Sequence, residues 1–261
     1  MSVTHSPITT RNRRSAVIIA ALTVAALAAC SDSTRANVRT TIGPDVALGN
    51  GTAHTWVTVD PSGTPIALGL AFTEDALTGL PTSMSGVRLQ FPREGQLTPF
   101  EHVEIDWNPM GHAPQPYMVP HFDFHFYQIT EAEQDAITPS DSNYDAKMAA
   151  APSAEFIPQG YIQTPGGVPQ MGAHWVDPTS PELNGQPFTS TFIYGSWNGA
   201  FTFMEPMMAL SYLQSKPDTT MSVKLPAQYA APGRYPTTYG VSYDASAKEY
   251  RITLGTLVQH N

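Results

Sequence analysis

The sequence predicts a mainly β protein of α+β type: an antiparallel sheet, barrel-like or sandwich-like, with a few short helices. Three observations predict it. Proline (24) and glycine (19) are plentiful and only 13% of the 261 residues are charged, a balance that favours short strands and turns over long helices. Apolar and polar residues alternate in several short runs, most strictly over residues 120–127, Pro-His-Phe-Asp-Phe-His-Phe-Tyr. That is the period of a strand with two unlike faces. Turn clusters separate these runs at short intervals.

The chain opens with a leader. Residues 1–15 carry Arg11, Arg13 and Arg14 and no acid, and an apolar run over 16–29 ends in Leu27-Ala28-Ala29-Cys30. A basic start, a short apolar stretch and small residues before a cut site read as a signal peptide over 1–29. The run is shorter than the roughly 20 residues of a spanning helix. Leu27 to Cys30 resembles a bacterial lipobox. The resemblance implies acylation of Cys30 and an exported chain, lipid-anchored to the cell envelope and facing the periplasm or the exterior. Cys30 is the only cysteine, so no intrachain disulfide can form. Residues 30–45 read as a tether and 46–261 as a single mainly β domain. The leader holds three of the 13 basic residues and none of the 22 acidic ones, so the chain beyond it carries a net charge of −12. Such a surface repels nucleic acid, which is excluded as a partner.

Along the domain, 55–59 and 65–72 predict a hairpin closed by Asp60-Pro61-Ser62-Gly63. Residues 73–78 predict a short helix with a capping Thr73, and 87–91 a strand. In 100–108, Val103, Ile105 and Trp107 share one face; His102, Glu104 and Asp106 share the other. That polar row reads as a solvent-facing side, with a cavity border as the sharper alternative. Thr130-Glu131-Ala132-Glu133 has the form of a capping box, starting a helix over 131–137. Residues 139–152 are loop or a weak helix, and 156–168 a long loop. Strands at 188–194 and 200–204 flank Asn198-Gly199, a hairpin signal. On the second of them Phe201, Phe203 and Glu205 share a face, and Pro206 opens a helix to about 214. Strands near 221–225, 238–243 and 249–257 complete the chain.

The chemistry centres on residues 120–127. Phe122, Phe124 and Phe126 anchor a core; His121, Asp123 and His125 on the other face offer two imidazoles and a carboxylate, common transition-metal ligands. Side chains two apart on a strand are roughly 6–7 Å apart, so neighbours can share one ion while His121 and His125 are near the limit. A bend, Asp123 as the middle ligand or orienter, or binding by one histidine alone resolves this. His174, in a Gly-rich loop before Trp175, and Glu205, a carboxylate on an aromatic face, complete a set of His121, His125, His174 and Glu205. Three imidazoles and one carboxylate suit one divalent Zn, Fe, Mn, Ni or Cu ion. Asp123 and His112 are the candidates for moving a proton, and His112 also for a ligand or its support. Asp123, Asp106 or Glu104 can orient a bound imidazole. Tyr127 and Trp175 are candidate pocket walls; His54, His102 and His260 read as packing residues.

The histidine-bearing strand followed by Pro169-Gln170-Met171-Gly172-Ala173-His174 resembles the two-motif layout of cupins, which implies three histidines and a glutamate around a metal in a jelly-roll barrel. Here the first motif is His-x-Asp-x-His, the later glycine is shifted by one residue, and the glutamate comes last. Trp107-Asn108-Pro109, Gly111-His112, residues 120–127, Ala173-His174-Trp175, Tyr194-Gly195 and Glu205-Pro206-Met207 together resemble a family of exported bacterial proteins of unassigned activity linked to extracytoplasmic stress. That resemblance implies a shared site and supplies no substrate.

Other catalytic patterns are excluded. Gly195-Ser196-Trp197-Asn198-Gly199 lacks the spacing of a nucleophile elbow, and the chain has no phosphate loop or dinucleotide fingerprint. Three readings are open: a metal-dependent enzyme of hydrolytic or oxygenase type acting on a small molecule; a non-enzymatic metal- or ligand-binding stress protein; and a structural envelope protein, as a homo-oligomer or not.

Overall fold

The computed structural model describes residues 1–3 and 37–261. The leader's apolar run, Cys30 and the first part of the tether lie outside the described residues.

Fourteen strands form two antiparallel sheets among the described residues. The first sheet holds β1 (Arg39–Ile42), β2 (Val46–Leu48), β3 (Gly51–Val59), β4 (Pro65–Thr73), β12 (Thr219–Ser222), β13 (Gly233–Asp244) and β14 (Glu249–His260), in the order β1-β3-β4-β14-β13-β12, with β2 also on β3. The second holds β5 (Ser85–Gln90), β6 (His102–Asn108), β7 (His121–Tyr127), β8 (Ile162–Gln163), β9 (Ala173–Val176), β10 (Ser190–Trp197) and β11 (Ala200–Ala209), in the order β5-β6-β7-β11-β10-β9-β8. Neither sheet closes on itself, so of the two expected forms the sandwich-like one stands and the cupin-type barrel does not. Three short α-helices accompany them: α1 (Glu131–Asp135), α2 (Tyr144–Ala149) and α3 (Leu210–Gln214). No helix among the described residues is long and apolar enough to cross a membrane.

The core lies between the sheets. Val57, Leu68, Leu70, Phe72, Tyr250, Ile252 and Leu254 from the first meet Val103, Ile105, Trp107, Phe122, Phe124, Phe126, Phe192, Tyr194, Met204 and Met208 from the second. Phe72 spans the interface, its ring 6.3 Å from Phe122 and 6.1 Å from Phe124. Each such side chain stabilises the fold by about 1.5–3 kcal/mol through burial, which ties the alternation of β7 directly to its place in the second sheet. That sheet's outer face is largely covered by loops, and there the polar residues of β7 lie.

Several local expectations change. Part of the predicted tether is β1, because Arg39 to Ile42 pair with Trp56 to Val59. The segment after β4 is a 3-10 turn, Glu74–Leu77, and Thr73 does not cap it; its hydroxyl accepts from the Thr52 amide instead. The Thr130–Glu133 capping box forms as predicted. Asn198 and Gly199 take φ of 51° and 81°, the left-handed pair of a two-residue hairpin. One residue further, β11 bulges: Ser196 faces Phe201 and Gly195 faces Phe203, leaving Thr202 extra. The bulge turns Phe201 into the core against Tyr194 and Trp175 and leaves Phe203 and Glu205 on the outer face. Pro206 starts no helix; it sits inside β11 opposite Phe192, and the helix waits until Leu210.

His102 shows how polar groups are settled on that outer face. Its ring stacks on Tyr127 at 4.8 Å, and its Nε2 stands 2.7 Å from Gln134 Oε1. Burial pushes its pKa below the usual 6.5, against the pull of Gln134. The neutral ring is therefore favoured in the fold, and this stabilisation is present above pH about 6.5 and lost as pH falls below it. We expect the stability cost of His102→Gln to be larger at pH 7.5 than at pH 5, measured by urea unfolding at both values.

Candidate metal centre

β7 is a central strand in which all seven residues are buried, the polar ones included. It pairs residue for residue with β6 from His102–Tyr127 to Asn108–His121, so it has no bulge that would draw His121 and His125 together. On its other side Met204 pairs with Phe126 and Met207 with Asp123, a register that sets Glu205 beside His125. His174 comes in from β9, which reaches the outer face through the pairing of His174 with Gly195.

The four ligands predicted for one ion are therefore divided. His125, His174 and Glu205 form one group; His121 joins His112 and Asp123 in another. In each group three potential ligand atoms lie within 4.8 Å of one another, so each could hold a metal ion. His125 Nε2 is 3.3 Å from Glu205 Oε2, and His174 Nε2 is 4.0 Å from the same oxygen. In the second group His121 Nε2 is 3.2 Å from Asp123 Oδ1, and His112 Nε2 is 3.4 Å from Asp123 Oδ2.

The far side of each ring explains its orientation. His121 Nδ1 donates to the Val119 carbonyl at 2.7 Å and His112 Nδ1 to the Ala113 carbonyl at 2.9 Å. His125 Nδ1 lies 3.0 Å from Asp106 Oδ2, off the line of a full hydrogen bond. In a neutral ring, a partner on Nδ1 leaves Nε2 with its lone pair toward the group's centre, the arrangement that supports metal-bound imidazole. Asn108 Nδ2 donates to Asp123 Oδ2 at 2.7 Å and holds that carboxylate in place. His121 Nε2, Asp123 Oδ1, His125 Nε2 and Glu205 Oε2 are all buried with no hydrogen-bond partner, a concentration unusual in a folded interior.

Charge and burial act strongly here. Burial pushes the Glu205 carboxyl up to about 6, against the pull of His125. Burial opposes charge on His125, yet Glu205, Tyr127 and Asp106 raise its pKa well above normal. The same contest lifts His112 to about 9 through Asp123, while contacts from His112 and His121 hold Asp123 well below the carboxylate range despite its burial. Burial and the neighbouring His125 lower His174 to about 3.

Both groups border one cavity of about 570 Å³. His112, Asp123, His174 and Glu205 reach it beside Asp106 and Asn108; Met84, Val168, Met171, Ile193 and Met207 are among its apolar walls. Two expected wall residues are placed differently. Trp175 turns into the core, donating to Ser196 Oγ at 2.8 Å, and Tyr127 supports the floor by stacking on His125 at 5.7 Å. Asp106 lines the cavity, so of the two readings of its row the cavity border holds for it and the solvent-facing one does not. Asn108 was missed, although its place on the strand before the His112 loop was the available signal. Two glycines make room: a Cβ on Gly86 would meet Asp106 Oδ1 at 2.6 Å, and one on Gly195 would run into the Phe203 ring.

Fold and site define a class, a two-sheet β protein with a histidine–carboxylate cavity on the outer face of one sheet. Residues 60–107 match a family model described as "TTHB210-like: Hypothetical protein TTHB210". No curated protein and no solved structure matches. The matched stretch covers less than half the chain and ends before His112, and no link to cupins or to the exported stress family is shown.

Phe203 carries the edge contacts of both His125 (4.7 Å) and His174 (5.5 Å). We expect Gly195→Ala to displace it and cost about 1–3 kcal/mol by overpacking. Combining Gly195→Ala with Phe203→Leu should recover part of that loss in a double-mutant cycle of denaturant midpoints.

Proposed function

We propose that the chain is a metal-dependent protein whose ion is held by His125, His174 and Glu205, and that it acts as an enzyme on a small, mostly apolar molecule. The observation that carries this reading is a difference in distances. The outer, Nδ1 contacts of His112, His121 and His125 measure 2.7–3.0 Å, but the inner contacts of Nε2 with carboxylate measure 3.2–3.4 Å for these three rings and 4.0 Å for His174. A charged N–H···O bond is about 2.7–2.9 Å. Ligands bound at about 2.0–2.2 Å around a tetrahedral ion stand about 3.3–3.6 Å apart. The inner spacing thus suits atoms that share an ion better than atoms that share a proton.

A divalent ion here would supply Lewis acidity toward a substrate oxygen or a water molecule. Three protein ligands leave coordination positions open to the cavity. The chain's own groups do the rest. The apolar walls take up the body of the molecule and exclude water. Asp106, 3.0 Å from His125 Nδ1, orients that ring. The leader, and the lone Cys30 at its end, support a lipid-anchored location in the cell envelope. A homo-oligomer is compatible with all of this.

The second reading is non-enzymatic: His125 as an imidazolium held between Asp106 and Glu205, in a cavity that binds a ligand without metal. Its raised pKa favours this reading. Elemental analysis of protein purified without chelator or histidine tag, followed by zinc titration, separates the two. We expect His174→Ala to remove one metal equivalent and Asp106→Asn to weaken binding at that site by about 10–100-fold. No uptake of Zn, Fe, Mn, Ni or Cu by the parent would leave the imidazolium reading standing.

A further inference from the structure

We infer that His112, His121 and Asp123 form a second, separate metal centre whose ion clamps the 109–117 loop onto the sheet and so sets the wall of the cavity. The group is built from two parts of the fold. His121 and Asp123 belong to β7 and are buried at the floor. His112 belongs to the loop after β6 and is the loop's one member of the group, its side chain 37% exposed.

Both imidazoles have their tautomer assigned by backbone. With Nδ1–H given to Val119 O and to Ala113 O, each Nε2 of the neutral rings presents a lone pair. The two Nε2 atoms approach the two oxygens of one carboxylate at 3.2 and 3.4 Å. Lone pairs facing a carboxylate repel, so the arrangement calls for a cation among them, a proton or a metal ion, and spacings of 3.2 and 3.4 Å, longer than the roughly 2.7–2.9 Å of a charged N–H···O bond, fit the metal ion. Nitrogen and carboxylate donors without sulfur suit zinc among the common ions. His121 Nε2 and Asp123 Oδ1, both buried and unpartnered, are the atoms such an ion would satisfy.

The loop's other anchor is Tyr117, buried against Phe188 with ring centroids 5.0 Å apart. Gly111 N donates to Asn108 O at 3.2 Å, His112 N to Tyr117 O at 3.1 Å, and Tyr117 Oη to Glu182 at 2.9 Å. The first two lie within the turn, so below Tyr117 the His112 ring is the side chain that joins the loop to the floor. Since His112, Ala113, Pro114 and Tyr117 all line the cavity, an ion at this group holds wall and floor in register. The centre is distinct from that of His125, His174 and Glu205 and does not depend on its being filled.

Zinc stoichiometry and hydrogen exchange of the purified protein, with and without zinc, test this. We expect about two zinc ions per parent chain and about one in His112→Ala, in the milder His112→Gln and in His174→Ala. With free zinc at about one hundred times the Kd, exchange over residues 110–117 should slow by about tenfold or more in the parent and in His174→Ala, and not in either His112 variant. Two zinc ions retained in the His112 variants, or exchange in the parent indifferent to zinc, would overturn the second centre. A single parent zinc lost only in His174→Ala overturns this proposal and leaves the proposed function in place. A single zinc lost only in the His112 variants does the reverse. Absence of zinc binding overturns both.

Discussion

The structure depends on one constraint: the polar face of a central β strand is buried. Phe122, Phe124 and Phe126 commit β7 to the sandwich core, and strict alternation then places His121, Asp123 and His125 on the opposite face with no freedom to move. That face is covered by loops, and ionisable groups in such a place must be paired, neutralised or bound to a cation. The neighbouring strands answer this need. Asp106 and Asn108 arrive from β6, Glu205 from β11 and His174 from β9, each set by strand register.

The same register explains why there are two groups instead of one. A regular strand spaces its same-face residues by about 6–7 Å, so His121 and His125 sit too far apart for one ion unless the strand bends. It has no bulge to draw them together, because β6 pairs with it residue for residue along its full length. Each histidine is instead completed by what lies nearest: a loop residue, His112, at one end, and β9 and β11 residues at the other. Small residues allow the crowding. Gly86 admits the Asp106 carboxylate, and Gly195 admits the Phe203 ring that supports His125 and His174.

Much of this was legible in the sequence. The two-faced pattern of 120–127, the capping box at Thr130 and the Asn198-Gly199 turn each rest on neighbours a few residues apart, where local rules apply. The sequence grouped His121, His125, His174 and Glu205; the structure brings the last three together and places His121 with His112 and Asp123. Less legible was any feature set by an insertion or a register. The extra residue at Thr202 reverses the side of Phe201, which plain alternation had placed with Glu205. Pro206 looked like a helix start, yet it occupies a strand where its missing N–H interrupts the ladder with β7. For Asp106 the sequence left a solvent-facing side and a cavity border both open, because nothing within β6 shows that a loop covers its face.

The sequence by itself determined the β-rich class, the core face of β7 and the kind of donor available for an ion, because these follow from side-chain chemistry and a period of two. The tertiary structure alone decided how the donors are grouped, which carboxylate serves which imidazole, and that a cavity of about 570 Å³ lies above them. Those are consequences of long-range strand register and loop cover, between residues as much as 80 positions apart in the chain, as His125 and Glu205 are. No local pattern encodes distances of that kind.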